Sequence, residues 1–264
     1  MIMPSLFTDL LGAFFGSIVG FVLALVGGGG SILAVPFLVY GVGVASPHVA
    51  IGTATVAVAA SAFANLMPHW RAGRVKWRCG AVFAAAGVIG ALAGAELAKS
   101  VDGHKLLMLF GALMIVVGLI MLRRRGAAGQ EGVRLTAETA RHLLPRLIAT
   151  GLGVGALSGF FGIGGGFLIV PGLMLATGMP LTFAIGTSLV AVSAFGAATA
   201  SSYAISGLVD WPLAFVFVLG GVAGGLVGAA AGRHLSSRKA WLGPIFAGVV
   251  ISVGSYVLLR GLLA

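Results

Sequence analysis

Apolar runs long enough to cross a bilayer recur along the whole chain, and no other feature constrains its fold as strongly. Leu10–Val26, Cys79–Ala98, Leu106–Leu122, Leu213–Ala231 and Trp241–Leu259 each approach or reach the ~20 residues that span a ~30 Å hydrocarbon core. Only 8% of the residues are charged, against about 25% in a soluble globular domain. So few charges do not cover a water-facing surface, whereas a lipid-facing surface needs none. The expected fold is an all-α integral membrane protein, because lipid offers the backbone no partner outside its own helices.

Ten apolar segments follow, at roughly 8–27, 31–44, 48–69, 79–98, 105–122, 144–161, 166–178, 181–205, 211–232 and 241–263. Two of them, 31–44 and 166–178, are short for a full span, and each follows a glycine cluster. They are expected to be half-helices or arms of re-entrant pairs. The polar connection Arg123–Arg146 contains Gly126, Gly129 and Gly132, and Thr136 is placed to cap a short amphipathic helix leading into the next span. The first Lys or Arg is Arg71, so the basic n-region of a secretory signal is missing and the first run is expected to be a retained helix. Cys79 is the sole cysteine, which excludes an internal disulfide and a cysteine-based metal cluster.

The net charge of +10 would suit nucleic acid, but its placement points to membrane orientation instead. Most basic residues fall in three short stretches: Arg71, Arg74, Lys76 and Arg78; Arg123, Arg124, Arg125, Arg134, Arg141 and Arg146; and Arg233, Arg238 and Lys239. An even number of crossings separates successive clusters, so all three are expected on the cytoplasmic side with both termini outside.

The chain also matches itself. Gly27-Gly28-Gly29-Gly30-Ser31-Ile32-Leu33-Ala34-Val35-Pro36 aligns with Gly162-Ile163-Gly164-Gly165-Gly166-Phe167-Leu168-Ile169-Val170-Pro171, six of ten positions being identical. Ala50-Ile51-Gly52-Thr53-Ala54-Thr55-Val56-Ala57-Val58 aligns with Ala184-Ile185-Gly186-Thr187-Ser188-Leu189-Val190-Ala191-Val192, and Gly73, Val75 and Trp77 with Gly207, Val209 and Trp211. The Arg71–Arg78 loop is basic, whereas its counterpart Ile205–Pro212 carries no base and has Asp210. The two copies are therefore expected to be inverted across the membrane, as in many secondary transporters. The other arrangement is a parallel repeat with an odd re-entrant element. The expected organisation is a first repeat at 1–122, a basic cytoplasmic linker at 123–146 and a second repeat at 147–264. Small residues four apart (Gly16, Gly20, Ala24; Gly151, Gly155, Gly159; Gly220, Gly224, Gly228, Gly232) are expected to bring helix backbones into close contact.

Glycine clusters that interrupt a helix free backbone N–H groups at the start of the next one, and that partly positive end suits an anion. The candidate substrate-binding residues are thus Gly28, Gly29, Gly30 and Ser31 in one copy and Gly164, Gly165 and Gly166 in the other. Polar residues within spans join them: Thr53, Thr187 and Ser188 after the Ile-Gly pairs, with Thr55 beside them, and Asn65, whose amide is costly in lipid without a partner. His48 and His69 lie at span ends, where a solvated histidine is expected. Glu96 and Lys99 are spaced for an ion pair, and Arg71 suits membrane orientation or, alternatively, contact with an anion on the cytoplasmic side. No Ser-His-Asp grouping, H-E-x-x-H motif or intramembrane carboxylate pair is present, so neither an enzyme nor a cofactor or metal site is expected.

The duplicated Gly-to-Pro stretch, Ala184-Ile185-Gly186-Thr187-Ser188-Leu189 and Gly207-Leu208-Val209-Asp210-Trp211 resemble the TauE/SafE family of membrane transporters, the sulfite exporter family. The resemblance covers nearly the whole chain outside 123–146. It implies export of small sulfur-containing anions such as sulfite, sulfoacetate or other sulfonates. The first copy departs from the pattern, with Gly52-Thr53-Ala54-Thr55 and Gly73-Arg74-Val75-Lys76-Trp77 in place of the Ser- and Asp-containing versions. The partners expected are a small anion and the lipid bilayer, with a coupling ion (proton or sodium) and a homo-oligomer left open, and no nucleic acid. A passive anion channel and a non-transporting membrane partner are the competing functions.

Overall fold

The computed structural model describes residues 6–123, 137–162, 166–234 and 239–263. It is an all-α membrane protein, and its apolar segments are those expected. Helix α1 (Leu6–Val26) leads into a 3₁₀ stretch (Gly27–Leu33), a single α-turn α2 (Ala34–Pro36) and a π-helical stretch (Phe37–Val42). Then follow α3 (Pro47–Arg71), α4 (Trp77–Lys99), α5 (Gly103–Arg123), α6 (Ala137–Phe161), α7 (Gly166–Thr177), α8 (Leu181–Ile205), α9 (Trp211–His234) and α10 (Lys239–Leu263). Among the described residues seven helices are long and apolar enough to cross a membrane, and Gly30–Val42, Phe167–Thr177 and Ala247–Leu262 are shorter apolar stretches. Thr136 lies outside the described residues. The segment after it runs into the next span as one helix, α6 extending from Ala137 through Pro145 to Phe161 without a break.

Local chemistry sets the ends. Ser46 caps α3, its hydroxyl accepting the Val49 N–H, and Pro47 occupies the first helical position, where its missing N–H costs nothing. Asp102 caps α5: one carboxylate oxygen accepts the N–H groups of His104 (3.0 Å) and Lys105 (3.2 Å). The Lys105 and His104 N–H groups hold the Asp102 carboxyl below its ordinary value. Glu96 and Lys99 form the expected ion pair at 2.7 Å.

The glycine stripes are packing surfaces. A Cβ on Gly16 or Gly20 would collide with the backbone of Phe217 or Gly221 on α9, and one on Gly155 or Gly159 with Gly87 or Ala91 on α4. Helix α1 thus packs on α9 and α6 on α4, with α5 beside α10 and α3 crossing α8. Close backbone approach of this kind supplies van der Waals contact where lipid removes the hydrophobic drive for association.

Candidate functional site

At both glycine clusters the chain leaves its helix, and at the first it turns back. The missing Cβ of Gly30 is filled by the Leu23 amide and the Val19 carbonyl, one to two turns back along α1. Further on, Phe37 stacks on Phe15 with ring centroids 4.7 Å apart. A continuing helix would carry Gly30 about 10 Å past Leu23, so residues 27–42 run back alongside α1. Of the two forms expected for this segment, a half-helix or an arm of a re-entrant pair, the returning course fits the second, and the arm is a composite of 3₁₀, α and π turns. Pro36, which lacks an N–H, stands where the widened π stretch begins. Its counterpart α7 is regular helix despite Pro171.

The two arms meet. The Gly27–Leu33 stretch packs against α7 and α8 as well as α1, burying Gly30 and Ser31 completely or nearly so. At the end of α6 the Gly162 carbonyl accepts a hydrogen bond from Thr55 Oγ1 at 2.9 Å. The same hydroxyl stands 2.6 Å from the Ile51 carbonyl of its own helix, so one proton is shared between two acceptors. Ser188 is buried, and its hydroxyl donates to the Ile185 carbonyl at 2.7 Å. Gly164 and Gly165 lie outside the described residues; Gly166 is the first residue of α7, and Gly28 and Gly29 lie within the 3₁₀ stretch.

Thr53 and Thr187 do something sequence reasoning did not anticipate. Thr53 Oγ1 accepts the backbone N–H of Asp210 at 3.0 Å, and Thr187 Oγ1 accepts that of Lys76 at 3.0 Å. Each hydroxyl at the start of one copy's long helix thus holds the loop that ends the other copy's. A Cβ on Gly52 would strike the Leu208 carbonyl, and one on Gly186 the Arg74 carbonyl. The start of α3 therefore sits at the end of α8, and the start of α8 at the end of α3: the two helices run antiparallel. Gly196 meets Ala59 where they cross.

Asn65 is farther along α3, buried against Gly225 of α9, and its Nδ2 has no hydrogen-bond partner among the described residues. Its counterpart in the repeat is Thr199, which is also buried with its hydroxyl unpartnered, as are Ser158 and Tyr203. These three were missed because a lone hydroxyl in a helix usually bonds back to its own turn. Extending the repeat register from Gly186 would have found Thr199. His48 stands at the start of α3, its Nε2 3.3 Å from the Ala98 carbonyl. No group of three or more potential metal ligands occurs among the described residues.

Comparison with known proteins agrees with this architecture. The family "Sulfite exporter TauE/SafE" matches residues 12–257. A "Probable membrane transporter protein" of Xylella fastidiosa (strain 9a5c) is 48% identical over 245 residues, 93% of each chain. "Probable membrane transporter protein YunE" of Bacillus subtilis (strain 168) is 29% identical over 264 residues, covering 94% of this chain and 96% of the relative. No solved structure matches.

Proposed function

The chain belongs to the sulfite exporter TauE/SafE family of membrane transporters, and we propose that it exports small sulfur-containing anions, such as sulfite, sulfoacetate or other organosulfonates, across the cytoplasmic membrane. The observation that carries this reading is the pair of arms after the glycine clusters, meeting between two antiparallel long helices. The first N–H groups of α7 have no helical carbonyl to take them, and such groups suit an oxyanion. The proposed substrate contacts are Gly28, Gly29, Gly30 and Ser31 from the first arm and Gly164, Gly165 and Gly166 from the second. Ser188 of α8 is proposed to join them, Thr53 and Thr187 hold the frame, and Asn65 is proposed as a donor farther along α3.

Sulfur chemistry and outward direction rest on the family's description. The preference for an anion also has physical support, since all six acidic residues of the chain lie outside the proposed contacts. Two halves, 1–122 and 147–264, joined by the basic linker 123–146, are proposed to be inverted and to rock about the α3–α8 crossing, with a proton or sodium ion as the coupling ion. Reporter fusions at Gly73 and Gly207 are expected to fall on opposite sides of the membrane, and the same side for both overturns the inverted arrangement.

Proteoliposomes loaded with labelled sulfite, sulfoacetate and a carboxylate control test the activity. Saturable efflux of the sulfur anions is expected, abolished by bulky side chains at Gly29, Gly165 or Ser188. Variants that transport like the parent remove this site, and unsaturable flux identifies a passive channel instead. Absence of flux and of any anion-dependent thermal shift identifies a non-transporting partner.

A further inference from the structure

We propose that the loop joining α3 to α4 is a docking site for the headgroup of an anionic phospholipid, held by Arg71 and Arg74 and flanked by Trp70 and Trp77. The backbone of this loop is fixed. Gly73 adopts φ +67°, its N–H reaches the Trp70 carbonyl at 2.9 Å, and the Arg74 N–H reaches the His69 carbonyl at 3.0 Å. Thr187 takes the Lys76 N–H, and the Lys76 ammonium sits 4.4 Å above the Phe183 ring. Arg71 and Arg74 themselves are exposed and form no ion pair with any described residue.

The other copy shows that this shape does not require the arginines. The loop joining α8 to α9 has Gly207 at φ +70°, with the Gly207 and Leu208 N–H groups reaching Ala204 and Tyr203 at 3.0 and 2.9 Å. Its Asp210 N–H is held by Thr53. It has the same backbone and no basic residue. Orientation does not demand Arg71 and Arg74 either, since the stretches 123–146 and 233–239 already carry nine Lys or Arg.

The apolar approach to the loop differs between the copies in the same way. Phe63, Met67 and Trp70 stand at helical spacing on one face of α3, with 70%, 44% and 53% of their surfaces exposed. They form a strip along which an acyl chain can lie below its headgroup. On α8 the matching positions are the small residues Ala197, Ser201 and Ala204, which together with Phe63 itself line a groove of about 460 Å³ between the two helices. Trp77, 43% exposed, packs edge-on against Trp70 at 5.7 Å, the pairing of aromatic belt and base found at a headgroup layer. A guanidinium fork matches the oxygens of a phosphodiester, and Arg71 and Arg74 bring two exposed ones to this loop. This inference is independent of the transported substrate.

The test offers the purified full-length protein equal amounts of phosphatidylglycerol and phosphatidylcholine and counts retained lipids by native mass spectrometry. Phosphatidylglycerol is expected to be preferred, with the preference falling about five-fold for each of R71Q and R74Q. R124Q/R125Q is expected to keep it. The double variant R71K/R74K keeps the charge but not the forks and is expected to keep part of the preference, above that of R71Q/R74Q, which separates loss of the site from loss of the fold. Brominated phosphatidylglycerol is expected to quench tryptophan fluorescence more than brominated phosphatidylcholine in the parent, and both equally in R71Q/R74Q. No preference in the parent, or the parent's preference in R71Q/R74Q, overturns the proposal. Displacement of the lipid by an equal concentration of inorganic phosphate also overturns it, since the ligand is then a free anion.

Discussion

Helices α3 and α8 are one element written twice, and they differ in an orderly way. What they share is backbone geometry: Gly52 and Gly186 where a carbonyl of the other copy's loop comes close, Thr53 and Thr187 where a hydroxyl receives an amide, Gly73 and Gly207 where the chain turns. What they do not share is chemistry. Ala54 faces Ser188 in the alignment, Thr55 faces Leu189, Ser61 faces Phe195, and Asn65 faces Thr199. The two helices share a scaffold that grips itself reciprocally, and each carries its own polar groups. Differences in polar chemistry between the halves are therefore to be sought at the positions where the copies disagree.

The largest effect expected from this comparison is at the close approaches. Gly52→Leu and Gly186→Leu each force a side chain into a backbone carbonyl that has nowhere to move. Each is expected to cost about 3 kcal/mol, read as loss of monodisperse protein on size exclusion. A severe effect in one copy alone breaks the equivalence.

Thr53→Val and Thr187→Val come next. Each leaves one N–H without its acceptor, at about 1–3 kcal/mol, and thermal unfolding in detergent should show two similar drops. If the grips cooperate, the double variant departs from the sum of the singles.

Asn65→Leu and Thr199→Val sharpen the contrast in chemistry. Replacing a buried polar group that has no partner by an apolar isostere is expected to be neutral or stabilising by up to about 1 kcal/mol. Transport is expected to fall for Asn65→Leu, because the donor is lost from the proposed path. Unchanged transport assigns Asn65 to packing alone.

Smallest are the polar groups at the far end of α4. Glu96→Gln is expected to leave the unfolding temperature within error, because Glu96 is 65% exposed and exposed pairs contribute little. Asp102→Asn should lower it slightly at neutral pH. The Asp102 carboxyl lies below its ordinary value of 3.8 in the folded chain. Its contribution is thus complete above that value and fades only as acid protonates the folded carboxylate. A pH titration of unfolding in parent and variant should converge in acid.

Much of this was legible from residues alone. The apolar runs located most helices to within a few residues, because length and hydropathy are what a bilayer selects, although α6 begins at Ala137, seven residues before the apolar run does. The paired glycine clusters marked where helices break, and the four-residue stripes marked where backbones touch. Residue types did not tell which hydroxyls were already engaged. Thr53 and Thr187 were picked as polar groups in spans, and their acceptor roles toward Asp210 and Lys76 join residues 157 and 111 positions apart. Nor did glycine and proline spacing distinguish the composite first arm from the regular α7, since both carry the same Gly-to-Pro pattern.

The sequence by itself determined that the chain belongs in lipid, that it is helical and that it is built twice. Those follow from local composition, which acts segment by segment. Only the tertiary structure decided that the first glycine break turns the chain back, that α3 and α8 run antiparallel with their ends exchanged, and which buried polar atoms are left without partners. Those depend on contacts between segments far apart in the chain, where the position of one helix sets the surroundings of another.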